Sequence, residues 1–318
     1  MRFSAPLAAH GRSRYIGARV ADATSKTELS AQRPHLVTFA TSAFAGARDR
    51  LIASALSTGE FDSAIPWDDV RLRKDPSYRA LSLLSHPRGS GYWSWKPHII
   101  LQTLKQLPDD AAVLYYDAGR YLGGFTIRRS VAPLIDFADR HGGMMPGVSI
   151  PHFGPNARWT RRDCFVLMNC DAPAFWKHPQ VQATFSVWLN RPATLTFLEQ
   201  WRRHCADIRI IGDGPSMCGL PNFPGFVDHR HDQSVLTNLV VKHGLKPFTI
   251  DDRIFEWLIA LRRNALAAHL FCKKIDNISA VAGGTSPSLL YARDLLTTKL
   301  SQLAFARQRC DVCAHQGT

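Results

Sequence analysis

The chain has 318 residues, of which 45% are hydrophobic and only 20% charged, with eight Trp and seventeen Phe. That excludes a disordered chain and supplies enough apolar volume for one large core or two small ones. The formal charge of +13 lies mostly at the ends: residues 1–34 carry six Lys/Arg against two acids and residues 253–318 nine against four, so +9 is terminal and +4 belongs to the middle.

A nucleic-acid-binding domain concentrates such charge on one folded face, so no nucleic acid is expected as partner, and a basic nucleic-acid-binding module is the weaker alternative. Basic ends suit solvated tails or a loose peripheral hold on an anionic membrane. No stretch approaches the roughly 20 apolar residues of a membrane helix. The expected place is cytoplasmic, or peripheral to the inner membrane.

Residues 1–33 lack apolar periodicity and read as a flexible basic leader. His35 to Thr41 reads as a first strand ending in small polar residues, and Arg48 to Leu56 as a helix. A turn-rich region around Pro66, Asp68, Asp69, Asp75 and Pro76 follows. Pro97 suits the first turn of a helix whose stripe is Ile99, Ile100, Thr103, Leu104 and Leu107. Ala111 to Tyr116 is an unbroken apolar run, as in a strand buried on both faces, and it stops at Asp117-Ala-Gly119. Then come a helix near Val131–Arg140, a strand over Thr184–Leu189, a helix over Thr194–His204, a helix from Asp232 closed by Gly244, and a strand over Leu245–Ile250. This alternation predicts an α/β domain over 34–252, with 253–318 as a helical extension (helix over 287–307) and basic tail. Seven scattered cysteines are no disulfide framework, and Cys310-x-x-Cys313 with His315 is half a zinc site without its second pair.

Four constellations carry possible chemistry. Asp117 ends a buried strand, where an acid is costly unless it faces a cleft, and one carboxylate on a tight turn can hold a divalent ion; a plain strand-ending turn is the simpler reading. Lys96 starts a helix beside Trp93 and Trp95, a setting for phosphate with a ring against base or sugar, or for two core tryptophans and a snorkelling lysine. Asp228 to Ser234 packs His229, Arg230, His231, Asp232 and Gln233 into one stretch. There Asp232 is placed as a helix N-cap, and Asp232 with Gln233 can meet a sugar hydroxyl or the reacting carbon. Arg158 to Cys164 holds three arginines and Asp163, an anion pocket around Arg161 or a salt-bridge patch, with Asp163 a possible base or acceptor-binding group. A Walker P-loop, GxGxxG after the first strand, GxSxG and HExxH are all absent from the sequence.

In order, Gly91-Tyr-Trp-Ser-Trp-Lys-Pro-His-Ile-Ile-Leu, Leu114-Tyr-Tyr-Asp-Ala-Gly119, Arg161-Arg-Asp-Cys164 and His229-Arg-His-Asp-Gln-Ser-Val235 resemble a family of bacterial and viral GT-A-type glycosyltransferases linked to surface polysaccharide. The resemblance spans roughly residues 35–250. It implies a GT-A-like, Rossmann-like mixed sheet flanked by helices and a nucleotide-diphosphosugar donor whose nucleotide lies near Thr38, Thr41 and Ser42. It implies a saccharide or lipid-linked acceptor. Asp117 stands where related enzymes keep a DxD motif for Mn²⁺ or Mg²⁺, with Gly119 at the third position, and His229 or His231 would complete the metal shell. Asp232-Gln233 looks like the pair near the sugar in retaining enzymes. A nucleotidyltransferase of similar fold is the nearest alternative.

Overall fold

The structure is a computed structural model that describes residues 33–119 and 130–250. The expected leader, the Cys310/Cys313 tail and the helix expected over 287–307 lie outside them.

The central sheet has five strands in the order β2-β1-β3-β7-β4. Here β1 is His35–Phe39, β2 Ser63–Trp67, β3 Ala112–Tyr116, β4 Met144–Met145 and β7 Phe185–Leu189. β1 pairs in parallel with β2 and β3, whereas β7 runs antiparallel to both β3 and β4. A second, three-stranded sheet joins β6 (Val181–Gln182), β5 (Val148–Ser149) and β8 (Phe248–Thr249). The domain is therefore mixed α/β, with both strand directions in one sheet.

All five residues of β3 are buried, as its apolar run requires. Its side chains alternate between two cores, because successive residues of a strand face opposite ways. Val113 and Tyr115 join the core packed by α3 (Lys96–Leu104), α7 (Pro192–Cys205) and α9 (Asp232–Lys242). Leu114 and Tyr116 join the core packed by α1 (Ala45–Leu56) and α4 (Ala132–Arg140). Helices thus cover both faces of the sheet. Between α1 and α9 lie short helices: α2 (Asp69–Lys74), α5 (Arg162–Leu167), α6 (Pro173–Trp176) and α8 (Ile208–Ile211).

Several expectations need adjusting. The turn-rich region around Pro66 contains β2, and Pro66 pairs with Thr38 at the sheet edge, where a missing N–H is tolerated. The strand expected over Leu245–Ile250 shrinks to Phe248–Thr249. Asp232 is the first residue of α9 and not its cap; that position belongs to His231, at φ 49° and ψ −117°.

One segment is conformationally costly. Gly89, Ser90, Gly91, Tyr92 and Trp93 all have positive φ, making one left-handed turn just before α3. Three of the five carry side chains, which disfavour that region. At Gly91 an added Cβ would lie 2.8 Å from the Leu83 carbonyl oxygen, so only glycine fits. The turn drops Trp95 into the core, where it stacks on Phe39 at 3.8 Å between ring centroids, and it aims Lys96 inward.

Candidate functional site

β1 leads through a crossover to β2 on one side, while the later β3 pairs on β1's other side. The order therefore reverses between β1 and β3, and in open α/β sheets ligands bind outside the carboxyl ends of the strands at such a point. Thr41 and Asp117 leave the sheet there, because Val37 pairs with Tyr115 and both strands end two residues later or less.

Asp117 does not stand alone at this edge. Its Oδ1 accepts a short hydrogen bond from the Tyr115 hydroxyl and lies 3.4 Å from Lys96 Nζ. The same ammonium is 2.9 Å from Asp232 Oδ2 and donates to the Ala183 carbonyl at 3.1 Å. The Lys96–Asp232 contact has ion-pair distance, but its angle leaves Oδ2 without an aligned hydrogen bond, so a lone pair stays open on a buried oxygen. Side chains 96, 117 and 232 thus converge from α3, the end of β3 and the start of α9. Lys96 and Asp232 are buried, while the Asp117 side chain keeps 27% of its surface exposed and forms the open side.

The electrostatics follow from that packing. Burial pushes the Asp232 carboxyl up to about 6, against the attraction of Lys96. Burial also works against the Lys96 charge, but Asp117 and Asp232 outweigh it and hold the ammonium above its ordinary value. Burial and then Asp117 push the Tyr115 phenol well up, so it stays protonated and keeps donating. With both carboxylates ionised, two negative charges surround one positive charge.

Gln233 supports the cluster from behind. Its Oε1 accepts from the Ala183 N–H at 3.2 Å and its Nε2 donates to Gln180 Oε1 at 2.7 Å. That fixes the 180–183 segment whose Ala183 carbonyl receives Lys96. Trp201 Nε1 donates to the Asp232 carbonyl at 3.0 Å, tying α7 to the start of α9.

The other expected site residues lie elsewhere or are already engaged. Asp163 Oδ1 accepts from the N–H groups of Met217 (2.6 Å) and Cys218 (2.8 Å), and Oδ2 from Arg161 Nη2 (2.8 Å). Burial pushes this carboxyl up, yet those backbone bonds and Arg161 outweigh it and hold it below the ordinary range. Asp163, expected as a base or acceptor-binding group, pins the 216–218 loop with both of its oxygens engaged. Arg161, itself buried, also donates to the Gly212 carbonyl at 2.6 Å.

His229 uses both ring nitrogens: Nδ1 accepts from the Arg161 N–H at 3.3 Å, and Nε2 donates to the Ile210 carbonyl at 3.0 Å. His231 donates through Nδ1 to the Ile211 carbonyl at 2.7 Å, and its ring lies against Tyr92 and Trp93 of the left-handed turn. Burial first of all holds both imidazoles below their ordinary value, hence neutral. Thr38 is buried within β1, Trp95 is buried in the core, and Trp93 is half-buried. Of the expected donor contacts, Thr41 is half-buried and Ser42 exposed at the β1–α1 turn.

A shallow cavity of about 440 Å³ adjoins His229, Arg161, Asp213 and Asp228. It is not lined by Asp117, Lys96 or Asp232, and chemistry rather than size makes that trio the candidate site.

The Mn²⁺ or Mg²⁺ site implied by the resemblance does not fit these residues. Among the described residues no group of three or more His, Cys, Asp or Glu is placed to hold a metal ion. His229 has no free nitrogen, His231 keeps Nε2 unbonded but turned toward Asp213 at 3.9 Å, and the space shared by Asp117 and Asp232 holds the Lys96 ammonium. A divalent ion binding both carboxylates would leave that buried ammonium without its anions, a loss of about 3–5 kcal/mol for such pairs.

The geometry defines a mixed α/β domain with a charged cluster at the sheet's switch point. In comparisons with known proteins the chain finds no significant match to any family model, curated protein or solved structure. Among the described residues, no helix is long and apolar enough to cross a membrane.

Sequence reasoning missed Tyr115 and Ala183. Tyr115 was legible only as part of an apolar strand, although its place two residues before Asp117 puts it on the same side of the strand. Ala183 contributes a backbone carbonyl, which no side-chain pattern encodes.

Proposed function

We propose that the chain is a glycosyltransferase that moves a sugar from a nucleotide-diphosphosugar to a hydroxyl acceptor, with the sugar held against Asp117 and Asp232. One observation carries the reading: two carboxylates 115 positions apart meet on one lysine at the switch point of the sheet. The mixed sheet, with parallel β2-β1-β3 followed by antiparallel β7, is compatible with the GT-A-like architecture that the resemblance implies.

The chemistry suits the cluster. Breaking the bond between sugar and diphosphate builds positive charge on the sugar ring. A pocket with one excess negative charge, fixed in place before reaction, stabilises that charge without reorganising. The exposed oxygen of Asp117 accepts from sugar hydroxyls, and Tyr115 and Lys96 fix its orientation. The diphosphate belongs away from the carboxylates, toward the β1–α1 turn. There Thr41 and Ser42 stand ahead of α1, and neither Thr41 nor Phe44 makes a side-chain cap to the helical amides behind it. Such uncapped amides favour anions. Asp232, on the sugar side with Gln233 behind it, keeps the retaining course implied by the resemblance.

Thermal-shift screening against UDP-, GDP-, CMP- and dTDP-sugars tests the proposal, since a ligand bound only by the folded form raises its Tm. One donor class is expected to raise Tm in the native protein and to lose most of that shift in Asp117→Asn. No shift from any donor would overturn the reading.

A further inference from the structure

We infer that Lys96 fills the cation site of this cluster, so that the carboxylates of Asp117 and Asp232 hold an ammonium where a divalent ion is implied and donor binding needs no metal. The inference rests on the sugar-transfer reading for its donor half only.

Three features support it. First, the ammonium is central: it donates to the Ala183 carbonyl at 3.1 Å and stands 2.9 Å from Asp232 and 3.4 Å from Asp117, so both carboxylates lie at ion-pair distance from one buried cation. A lysine buried between two carboxylates serves to fix them in place.

Second, the position is enforced. The left-handed turn over residues 89–93, with Gly91 backed against the Leu83 carbonyl, is a conformational cost that delivers Lys96 inward at the start of α3. Gln233 bonds to Gln180 and Ala183, holding the third acceptor in place. Strain of this kind persists only where the surroundings over-determine it.

Third, the two histidines do not complete a metal shell. His229 is bonded through both ring nitrogens, and His231, whose Nε2 has no hydrogen bond, turns that nitrogen toward Asp213 at 3.9 Å, while among the described residues no three His, Cys, Asp or Glu are placed to hold an ion together. Gly119 stands where the second acid of a DxD motif would be. A Mg²⁺ or Mn²⁺ ion needs several hard oxygen ligands at about 2.1 Å and tolerates no cation among them. An ammonium supplies one positive charge and hydrogen-bond directionality, so the carboxylates keep an excess negative charge that faces the sugar.

Two measurements on the full chain test this. In the first, Mn²⁺ alone is titrated and followed by electron paramagnetic resonance. The native protein is expected to bind no stoichiometric Mn²⁺. Lys96→Met is expected to gain one site, tighter by roughly tenfold or more, and to lose it again when Asp117→Asn is added. Stoichiometric Mn²⁺ on the native protein that disappears in Asp117→Asn overturns the inference, as does a folded Lys96→Met variant that gains no site.

In the second, the thermal shift given by the donor is compared in EDTA and in Mn²⁺, which needs no variant. Equal shifts are expected. A shift present only with Mn²⁺ overturns the inference and leaves the sugar-transfer reading standing. If no donor shifts the protein at all, the sugar-transfer reading falls, and the Mn²⁺ titration still decides what fills the carboxylate pair.

Discussion

Asp232 and Asp163 are both buried aspartates in the first turn of a helix, each beside a basic side chain, yet they are opposites. Asp163 is satisfied on both oxygens by two backbone N–H groups and Arg161, and is held below the ordinary carboxylate range. Asp232 faces Lys96 without an aligned hydrogen bond on Oδ2, shares that lysine with Asp117, and is pushed up to about 6. A satisfied carboxylate stabilises the fold, whereas an under-satisfied one costs stability and stays available for chemistry. The surroundings of each are likewise opposed. Asp163 and Arg161 hold a loop and the Gly212 carbonyl; Asp232 and Lys96 meet Asp117, whose side chain is partly exposed.

The largest expected effect lies on the structural side. Asp163→Ala strands a buried Arg161 and two loop N–H groups, and is expected to cost about 3–5 kcal/mol in urea unfolding. A loss below about 1 kcal/mol would show that the loop is held by other contacts and would break the contrast.

Next comes the pH dependence, in which the two aspartates have opposite signs. Asp232 has a folded value of about 6 against an ordinary 3.8, so between these the folded state binds more protons. What Asp232 adds to stability is full below about pH 4 and is lost as the pH rises to about 6, roughly 3 kcal/mol by linkage. Asp163 works the other way: its contribution is present above 3.8 and is lost as the pH falls through its depressed folded value. Urea unfolding from pH 3 to 7 is expected to show a flatter pH 4–6 limb in Asp232→Asn and a flatter acid limb in Asp163→Asn. An unchanged pH 4–6 limb in Asp232→Asn would mean that this carboxyl is solvated.

The smallest expected effect is at the rim. Arg88 reaches Asp228 at 2.6 Å and Asp213 at 3.2 Å, but its side chain is 41% exposed. Solvent screens such pairs, so Arg88→Ala is expected to shift stability by less than about 1 kcal/mol. A loss of several kcal/mol would move the rim into the structural set with Asp163.

The contrast also marks how far the sequence reached. Apolar runs and helical spacing located β3, β7, α3, α7 and α9, because burial on both faces or on one stripe leaves a periodic trace. Pro66 concealed β2, since proline in an edge strand looks the same as proline in a turn. The two-residue strands β4, β5 and β6 are too short to show a period. At the site, Asp117 and Asp232 were legible as acids at element ends, where buried charge needs a reason. Their meeting on Lys96 was not, because it depends on a left-handed turn over residues 89–93 that brings together segments far apart in the chain. His229 and Asp163 looked as promising as Asp232 because residue type carries no record of which polar atoms are already bonded.

The most direct test of the account is a double-mutant cycle of Asp117→Asn and Asp232→Asn, read as calorimetric affinity for the donor found by screening. Because both carboxylates share the Lys96 ammonium, the two losses should be non-additive by about 0.5–3 kcal/mol. Losses that simply add would place the two groups in separate environments and contradict the single site.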